Sequence, residues 1–209
     1  MTATTSTPTN IAVVTCSTRS PRLNPYITNY VLKVLAPEHP QVTFTVIDLE
    51  AQGLPFYDEP GIPALLPKDN PSPHYVHDHT RRWSAKISQH DAFIFVTPQY
   101  NWSIPASLKN ALDFLYHEWA GKPALVVSYG GKGGSKAAAH LQQILGSMHM
   151  KVTRQTPMFV VTTDTLKGVV DNGKADATDD ERWCAANVDG QLKQSFLAMA
   201  DGSDVLGRM

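Results

Sequence analysis

The first segment whose residue types suit chemistry is 16–24, with the sequence CSTRSPRLN. It lies between a short β-rich run and a helical pattern, so hydroxyls and backbone N–H groups stand beside a helix N-terminus, an arrangement that binds phosphate. Arg19 adds a planar donor suited to a phosphate. By itself the segment fits an ordinary loop with a solvated arginine equally well. It contains neither a GxGxxG fingerprint nor a Walker lysine, which argues against a dinucleotide-binding or P-loop interpretation.

The second such segment is 97–105, TPQYNWSIP, in which two prolines bracket an aromatic pair. The prolines make the loop stiff, and the loop offers backbone N–H groups, amide side chains and rings. A planar heteroaromatic ligand with polar edges requires such groups. The alternative is a packed turn whose aromatic side chains cover the end of a sheet.

The third segment is 128–134, SYGGKGG, whose four glycines let a backbone approach a ligand closely. On its own it could equally be a mobile glycine-rich loop. All three segments follow predicted strands, and in an open parallel sheet ligands bind beyond the carboxyl ends of the strands. We therefore expect the three loops to form one site.

The elements that must position these loops alternate along the chain. Five short β-rich runs, separated by segments of helical period, predict a parallel sheet with helices on both faces. The predicted strands are residues 11–15, 42–47, 92–96, 124–128 and 151–161, the last interrupted at Pro157.

The helical segments carry recognisable start signals. Asn24 is predicted to cap the first, and Ser103 to cap a helix whose apolar stripe runs from Ile104 to Trp119. The other predicted helices are a segment beginning near His74 with Val76, Thr80, Trp83 and Ile87 on one face, residues 135–145, and residues 178–199, which open on a capping box.

Length and charge narrow the function classes. The 209 residues predict one domain over 10–200, with tails at 1–9 and 201–209, and the formal net charge of −1 gives no electrostatic reason for a nucleic-acid or membrane partner. Two isolated cysteines, Cys16 and Cys184, make neither a disulfide framework nor a zinc site. The opening residues lack a signal-peptide pattern, and no apolar run could cross a bilayer. We expect a cytoplasmic protein.

Other constellations are weaker. The histidines of HYVHDH, His74, His77 and His79, invite a metal interpretation, but no carboxylate or cysteine partner is evident and His79 falls on another helix face. Asp91, His117 and Glu118 lack the spacing of a hydrolytic set. We expect no metal and no catalytic acid–base pair.

The segment TPQYNWSIPASLKNALDFLYHEW, followed by GKPALVVSYGGKGGSKAA, resembles the NAD(P)H-dependent FMN reductase family. Trp102, the YHEW ending and the preceding proline-rich segment resemble its fungal quinone-reductase branch. The resemblance implies a flavodoxin-like three-layer sandwich with a five-stranded parallel sheet in the order 2-1-3-4-5. It also implies FMN and NAD(P)H as cofactors, and two-electron, ping-pong hydride transfer to quinones, flavins or similar acceptors, with the chemistry supplied by FMN.

The resemblance also assigns three groups of cofactor-binding residues. Those at the FMN phosphate are Ser17, Arg19 and Asn24. Those bordering the flavin ring are Pro98, Gln99, Tyr100, Asn101 and Trp102. Those closing its other side are Ser128, Tyr129, Gly130 and Gly131. Two positions depart from the family pattern or extend it. Cys16 replaces a glycine, which would harm phosphate binding if the position needs a positive φ. Lys132 lies near the expected ring edge.

Two further expectations concern the role of the protein and its assembly. The main alternative from another class is a non-catalytic flavin-binding redox sensor that acts through a protein partner. The segment 112–119 carries Phe114, Tyr116 and Trp119 at different angles, which predicts aromatic surface for a homodimer. The proline-rich segment 54–73 could reach across such an interface or cover the site.

Overall fold

The computed structural model describes residues 8–172 and 177–207, which form a parallel sheet between two helical layers. Its strands run in the order β2-β1-β3-β4-β5, with β6 also paired to β4. This confirms the predicted flavodoxin-like order. The strands are β1 Asn10–Thr15, β2 Thr43–Asp48, β3 Ala92–Pro98, β4 Pro123–Gly130, β5 Lys151–Val152 and β6 Met158–Val160.

The fifth position of the sheet is divided between two short strands. β5 pairs with the start of β4 (Ala124 with Val152) and β6 with its end (Ser128 with Met158). Pro157, between them, has no N–H to donate, but its carbonyl accepts a hydrogen bond from Ser128 N at 3.0 Å. The interruption predicted at Pro157 is therefore present, and β4 still keeps partners at both ends.

The helices cover both faces of the sheet. They are α1 Asn24–Leu35, α2 Asp78–Ser88, α3 Ala106–Asp113, α4 Ser135–Ser147, α5 Thr163–Asn172, α6 Ala177–Ala185 and α7 Val188–Asp201. Side chains alternate along β1, so that Ile11 and Val13 join the core under α1 and α7, while Ala12 and Val14 join the core under α2, α3 and α4. No helix in the described ranges is long and apolar enough to span a membrane.

Two predicted helix boundaries were wrong, and near each of them a carboxylate accepts hydrogen bonds from backbone N–H groups. The helix predicted to run to Trp119 ends at Asp113, and Glu118 Oε2 accepts a hydrogen bond from Tyr116 N at 3.3 Å. The helix predicted from near His74 begins at Asp78 instead, because Tyr75 and His77 have extended backbone angles, and Glu59 accepts hydrogen bonds from Val76 N and His77 N at 2.9 and 3.0 Å. Burial acts to raise the pKa of Glu59, but these hydrogen bonds lower it overall.

The C-terminal third also differs from the prediction. The single helix predicted for residues 178–199 is two helices, separated where Asn187 adopts a left-handed φ of 57°. Thr178, the first residue of the predicted capping box, lies within α6, Ala177–Ala185. Helix α5, Thr163–Asn172, was not predicted.

The ends of the chain bear on the predicted tails. Val205 forms a bridge with Thr153, and Leu206 N donates to Val152 O at 2.8 Å, so this part of the C-terminal segment lies along β5. Residues 1–7 of the predicted N-terminal tail and residues 208–209 lie outside the described residues. The division into one domain with two tails stays a prediction.

Candidate cofactor site at the carboxyl rim

Three loops meet at the carboxyl ends of β1, β3 and β4. We call them loop 1 (residues 16–24), loop 2 (residues 97–105) and loop 3 (residues 128–134), and we call this edge of the sheet the rim. The strand register places Thr15 beside Val96 and Thr97 beside Ser128, so the loops start at neighbouring positions. The structure therefore brings together the three segments that the sequence singled out.

Asn24 holds loop 1 in place from below. Its side chain is buried, Oδ1 accepts a hydrogen bond from Ser17 N at 2.6 Å, and Nδ2 donates to Val96 O at 3.0 Å. The predicted helix-capping role is wrong, because α1 begins at Asn24 itself with Leu23 as its N-cap residue. Both polar atoms of Asn24 are engaged with the protein, so its effect on a phosphate would act through the shape of the loop.

Cys16 is compatible with the loop despite replacing the family glycine. It is not among the residues with positive φ, its side chain is buried in the core, and Sγ lies 3.3 Å from Val14 O. Burial raises the pKa of the Cys16 thiol well above its ordinary value, which makes the thiol unreactive. Ser107 Oγ of α3 donates to Cys16 O at 3.0 Å and fixes this turn to loop 2's helix.

Arg22, which the sequence analysis missed, connects loop 1 to the end of β2. Its two terminal nitrogens donate to the carboxylate of Asp48 at 2.6 and 2.5 Å, and Nη1 also donates to Ser17 O at 2.7 Å. The hydrogen bond with Asp48 raises the pKa of Arg22. The sequence could have indicated this pair, because the two residues carry opposite charges and follow or end two adjacent strands.

The exposed donors of loop 1 are Thr18, Arg19 and Ser20. Within residues 8–172 and 177–207, the Arg19 guanidinium has no carboxylate partner and the N–H groups of Thr18 and Ser20 have no acceptor. These are the groups that an incoming phosphate can reach. Arg19 was predicted for this role, whereas the two neighbouring hydroxyl residues were not.

Loop 2 contains a tight turn with unusual backbone angles. Tyr100 and Ser103 exchange two backbone hydrogen bonds of 2.9 Å, and the residues between them, Asn101 and Trp102, have φ of 44° and 74°. A tryptophan in this left-handed region costs on the order of 1–3 kcal/mol. Ser103 does not cap α3 as predicted. Its hydroxyl instead lies 2.6 Å from His140 Nδ1 on α4.

A hydroxyl pair joins loop 2 to loop 1. Tyr100 OH and Ser17 Oγ are 2.7 Å apart, and Ser17 is only 1% exposed. Ser17 Oγ also accepts a hydrogen bond from Arg19 N at 3.3 Å. Ser17 therefore sits beneath the loop surface, where it couples the predicted ring segment to the predicted phosphate segment.

Loop 3 has a defined turn conformation, and the backbone angles of its last two residues require glycine. Gly133 and Gly134 have φ of 74° and 81°, and a Cβ on Gly134 would lie 2.7 Å from Tyr129 O. Ser128 Oγ donates to Gly133 O at 2.8 Å. Gly130 and Gly131, the two predicted site residues, have room for a side chain, so any need for glycine there would come from a ligand.

Loops 2 and 3 also present free donors. The N–H groups of Asn101, Trp102, Gly131 and Lys132 have no acceptor in the part of the chain that the structure describes. Gln99 Oε1 is occupied by Lys136 N at 3.0 Å, and Tyr129 is buried, which raises the pKa of its phenol. A rim with unpaired N–H groups and one free guanidinium fits FMN, whose phosphate and ring carbonyls are hydrogen-bond acceptors.

The competing constellations form no centre. No group of His, Cys, Asp or Glu residues in the described ranges could hold a metal ion. His79 pairs with Asp58 at 2.9 Å, and Asp91 accepts hydrogen bonds from Thr9 N and Asn10 N at the other end of β1. Glu118 is buried and accepts hydrogen bonds from Tyr75 and Ser84.

Comparison with known proteins gives a consistent result. The family model described as NADPH-dependent FMN reductase matches residues 9–164. An NAD(P)H-dependent FMN reductase of Schizosaccharomyces pombe is 43% identical over 162 residues, which cover 77% of this chain and 78% of that protein. A 2-hydroxy-1,4-benzoquinone reductase of a Burkholderia species is 30% identical over 157 residues, covering 72% and 77% of the two chains.

A solved structure supports the same fold. FerB, a flavoenzyme NAD(P)H:(acceptor) oxidoreductase from Paracoccus denitrificans, superposes with a TM-score of 0.66 over 95% of this chain and 100% of its own. At 22% sequence identity this likeness concerns the fold alone.

Proposed function

Because the chain belongs to the NADPH-dependent FMN reductase family, and is thus an oxidoreductase that uses FMN and NAD(P)H, we propose that it reduces quinones or free flavins in a two-electron ping-pong cycle. The observation that carries this proposal is the convergence of three loops, all rich in free donors, at one rim. The relative described as a benzoquinone reductase supports the choice of acceptor.

Each loop has a distinct task in the proposed site. Arg19, with the N–H groups of Thr18 and Ser20, binds the phosphate, since these are the unpaired donors of loop 1. Pro98 and the backbone of Asn101 and Trp102 hold one edge of the ring, and Gly130 and Gly131 allow the chain to approach its other side. Asn24, Ser17 and Tyr100 keep loops 1 and 2 in register.

When bound, FMN supplies the two-electron chemistry between NAD(P)H and the acceptor, so the protein needs no acid–base pair. The described residues at the rim contribute orientation, hydrogen-bond donors and partial exclusion of water. In the proposed cycle NAD(P)H and the acceptor meet the same FMN ring in turn, and this shared use of one flavin is the basis for proposing a ping-pong order.

The test is steady-state NAD(P)H oxidation by the FMN-loaded protein with a quinone, free FMN and an azo dye as alternative acceptors. Parallel lines in double-reciprocal plots at several quinone concentrations, with many turnovers per flavin, are the expected result. Intersecting lines would refute the ping-pong order. FMN binding with negligible turnover would favour the sensor alternative, and colourless protein that takes up no FMN would refute the proposed site.

We also propose a homodimer, although the surface that supports it is not the aromatic segment that first suggested it. Phe114 and Trp119, which suggested an aromatic interface, are buried within their own chain. The proline-rich segment instead exposes Phe56 at 85%, Leu65 at 79% and Ile62 at 63%, and such apolar surface is what a second copy would cover. A molar mass near 46 kDa by light scattering, about twice the 22.9 kDa of the chain, would support it.

A further inference from the structure

Helix α4 is attached to loop 2 at three points. Lys136 N donates to Gln99 Oε1 at 3.0 Å, Ser103 Oγ lies 2.6 Å from His140 Nδ1, and Lys136 Nζ lies 5.5 Å from the centre of the Trp102 ring. The last is a cation–π distance. These contacts fix the position of the Trp102 indole relative to the Lys136 ammonium.

Trp102 is presented to solvent at a cost. It adopts φ of 74°, a conformation that a bulky side chain rarely adopts, and it is 71% exposed, so burial gives little in return. Lys136 lies over the ring, but most of the indole surface stays open. A strained and exposed tryptophan next to the proposed flavin site is therefore a surface available for stacking.

Lys136 is also free of carboxylate partners. Elsewhere, Lys33, Lys109 and Lys193 form ion pairs with Asp180, Asp113 and Glu38. Across residues 8–172 and 177–207, no carboxylate lies within ion-pair distance of Lys136 or of Lys132 on loop 3. The ammonium beside Trp102 is thus available to an anionic ligand.

We propose that Trp102 and Lys136 bind the adenosine 2′-phosphate portion of NADPH and so make the enzyme prefer NADPH to NADH. The adenine base stacks on the open surface of the indole, and the dianionic phosphate pairs with the ammonium. NADH has the base but lacks this phosphate. The inference rests on the proposed function, which places the nicotinamide substrate at this rim.

The test separates the two contacts with nucleotide fragments. Affinities of the FMN-loaded protein for 2′,5′-ADP and for 5′-AMP are measured by calorimetry for the wild type, Lys136→Gln, Trp102→Leu and the control Lys151→Gln. Lys151 is an exposed lysine at the start of β5, away from the rim. The wild type should bind 2′,5′-ADP roughly tenfold more tightly than 5′-AMP, which is the size expected for one charged hydrogen bond.

Each variant has its own expected signature. Lys136→Gln should bring the ratio of the two affinities close to one, and it should lower kcat/KM for NADPH roughly tenfold with little change for NADH. Trp102→Leu should weaken both fragments by a similar factor, roughly tenfold, because both carry the base. Lys151→Gln should leave the ratio unchanged.

The inference is overturned if the wild type binds both fragments equally, or if Lys136→Gln weakens both equally. Failure of the proposed function looks different: neither NADPH nor NADH would support turnover, while the fragment affinities would still report on Trp102 and Lys136.

Discussion

Two polar regions of this molecule differ in whether their hydrogen-bond donors have protein partners. The Glu118 cluster, made of Glu118, Tyr75, Ser84 and the N–H of Tyr116, is buried, and every one of these donors reaches the carboxylate within 2.5–3.3 Å. At the rim, Arg19 and the N–H groups of Asn101 and Trp102 have no partner in the described ranges. The satisfied region stabilises the fold, and the unsatisfied region is left for a ligand.

The same two regions show that a shifted side-chain pKa does not by itself mark the functional site. Tyr75 belongs to the Glu118 cluster, and burial together with the nearby carboxylate raises the pKa of this phenol strongly. Lys122, partly buried nearby, has a pKa lowered to about 8 by the loss of solvent around its ammonium. Neither group lies at the rim. Strongly shifted pKa values therefore do not locate the site, because they occur in the Glu118 cluster and also at the buried Cys16 and Tyr129 of the rim loops, whereas the site is recognised by its free donors.

The largest expected effect comes from breaking the satisfied region. Glu118→Ala should lower the free energy of unfolding by about 3 kcal/mol, because it leaves the Tyr75 hydroxyl and the Tyr116 N–H unpaired and removes one of the two hydrogen bonds of the Ser84 hydroxyl. Urea unfolding of the FMN-free protein measures this. Glu181→Ala, an exposed carboxylate, is the control and should change stability by less than about 0.5 kcal/mol. A loss of FMN affinity in the folded Glu118→Ala protein would contradict the division of roles.

The second effect should appear at the rim without a change in stability. Arg19→Ala should weaken FMN binding by roughly 30-fold and leave riboflavin binding unaffected, because only FMN carries the phosphate. Quenching of flavin fluorescence gives both affinities, and thermal unfolding of the FMN-free variant should match the wild type. Equal weakening of both flavins would move Arg19 away from the phosphate.

A smaller effect should come from the bond between the loops. Tyr100→Phe keeps the ring but removes the hydroxyl 2.7 Å from Ser17 Oγ, so FMN affinity should fall roughly fivefold. Ser17→Ala should lower the affinity at least as much, because it also removes the acceptor of Arg19 N, and the double variant should be no worse than Ser17→Ala, which already lacks the bond to Tyr100. Strictly additive losses would show that the two hydroxyls act independently.

The smallest effect concerns pH and Lys122. Its pKa is near 8 in the folded protein and 10.5 when unperturbed, so the unfolded chain binds more protons between these values and stability rises with pH across this window. Relative to Lys122→Met, the wild type should gain about 1 kcal/mol between pH 8 and 10.5, a modest figure because Lys122 is only partly buried. Lys151→Met should show no such trend in urea unfolding, and a constant difference between wild type and Lys122→Met would contradict the assignment.

The sequence predicted the sheet better than the ends of its helices. β1, β3 and β4 are buried on both faces and therefore read as continuous apolar runs. Helix boundaries were missed where Glu59 and Glu118 accept hydrogen bonds from backbone N–H groups near the predicted helix ends. Apolar periodicity contains no information on which backbone groups a buried carboxylate will accept.

The meeting of the three loops at one rim was predicted, but the contacts within them were only partly foreseen. Loops 1, 2 and 3 could be recognised because each combines a strand end with glycine, proline or hydroxyl residues. That Asn24 and Ser17 face inward depends on Val96 and Tyr100, more than 70 positions away. Arg22 likewise pairs with Asp48, and Lys136 contacts the Trp102 ring, across long separations in the sequence.

The Arg22 contacts at the end of β2 also bear on the rate at which phosphorylated nucleotides reach the rim. Arg22 lies 2.5 Å from Asp48 and 3.8 Å from Glu50, so its single positive charge offsets one of the two negative charges at the end of β2. Arg19, Lys132 and Lys136 then dominate the local field at the rim, although the whole chain carries a net charge of −1. We therefore expect an excess of positive charge at the rim, which would draw diffusing phosphorylated nucleotides toward it before any hydrogen bond forms.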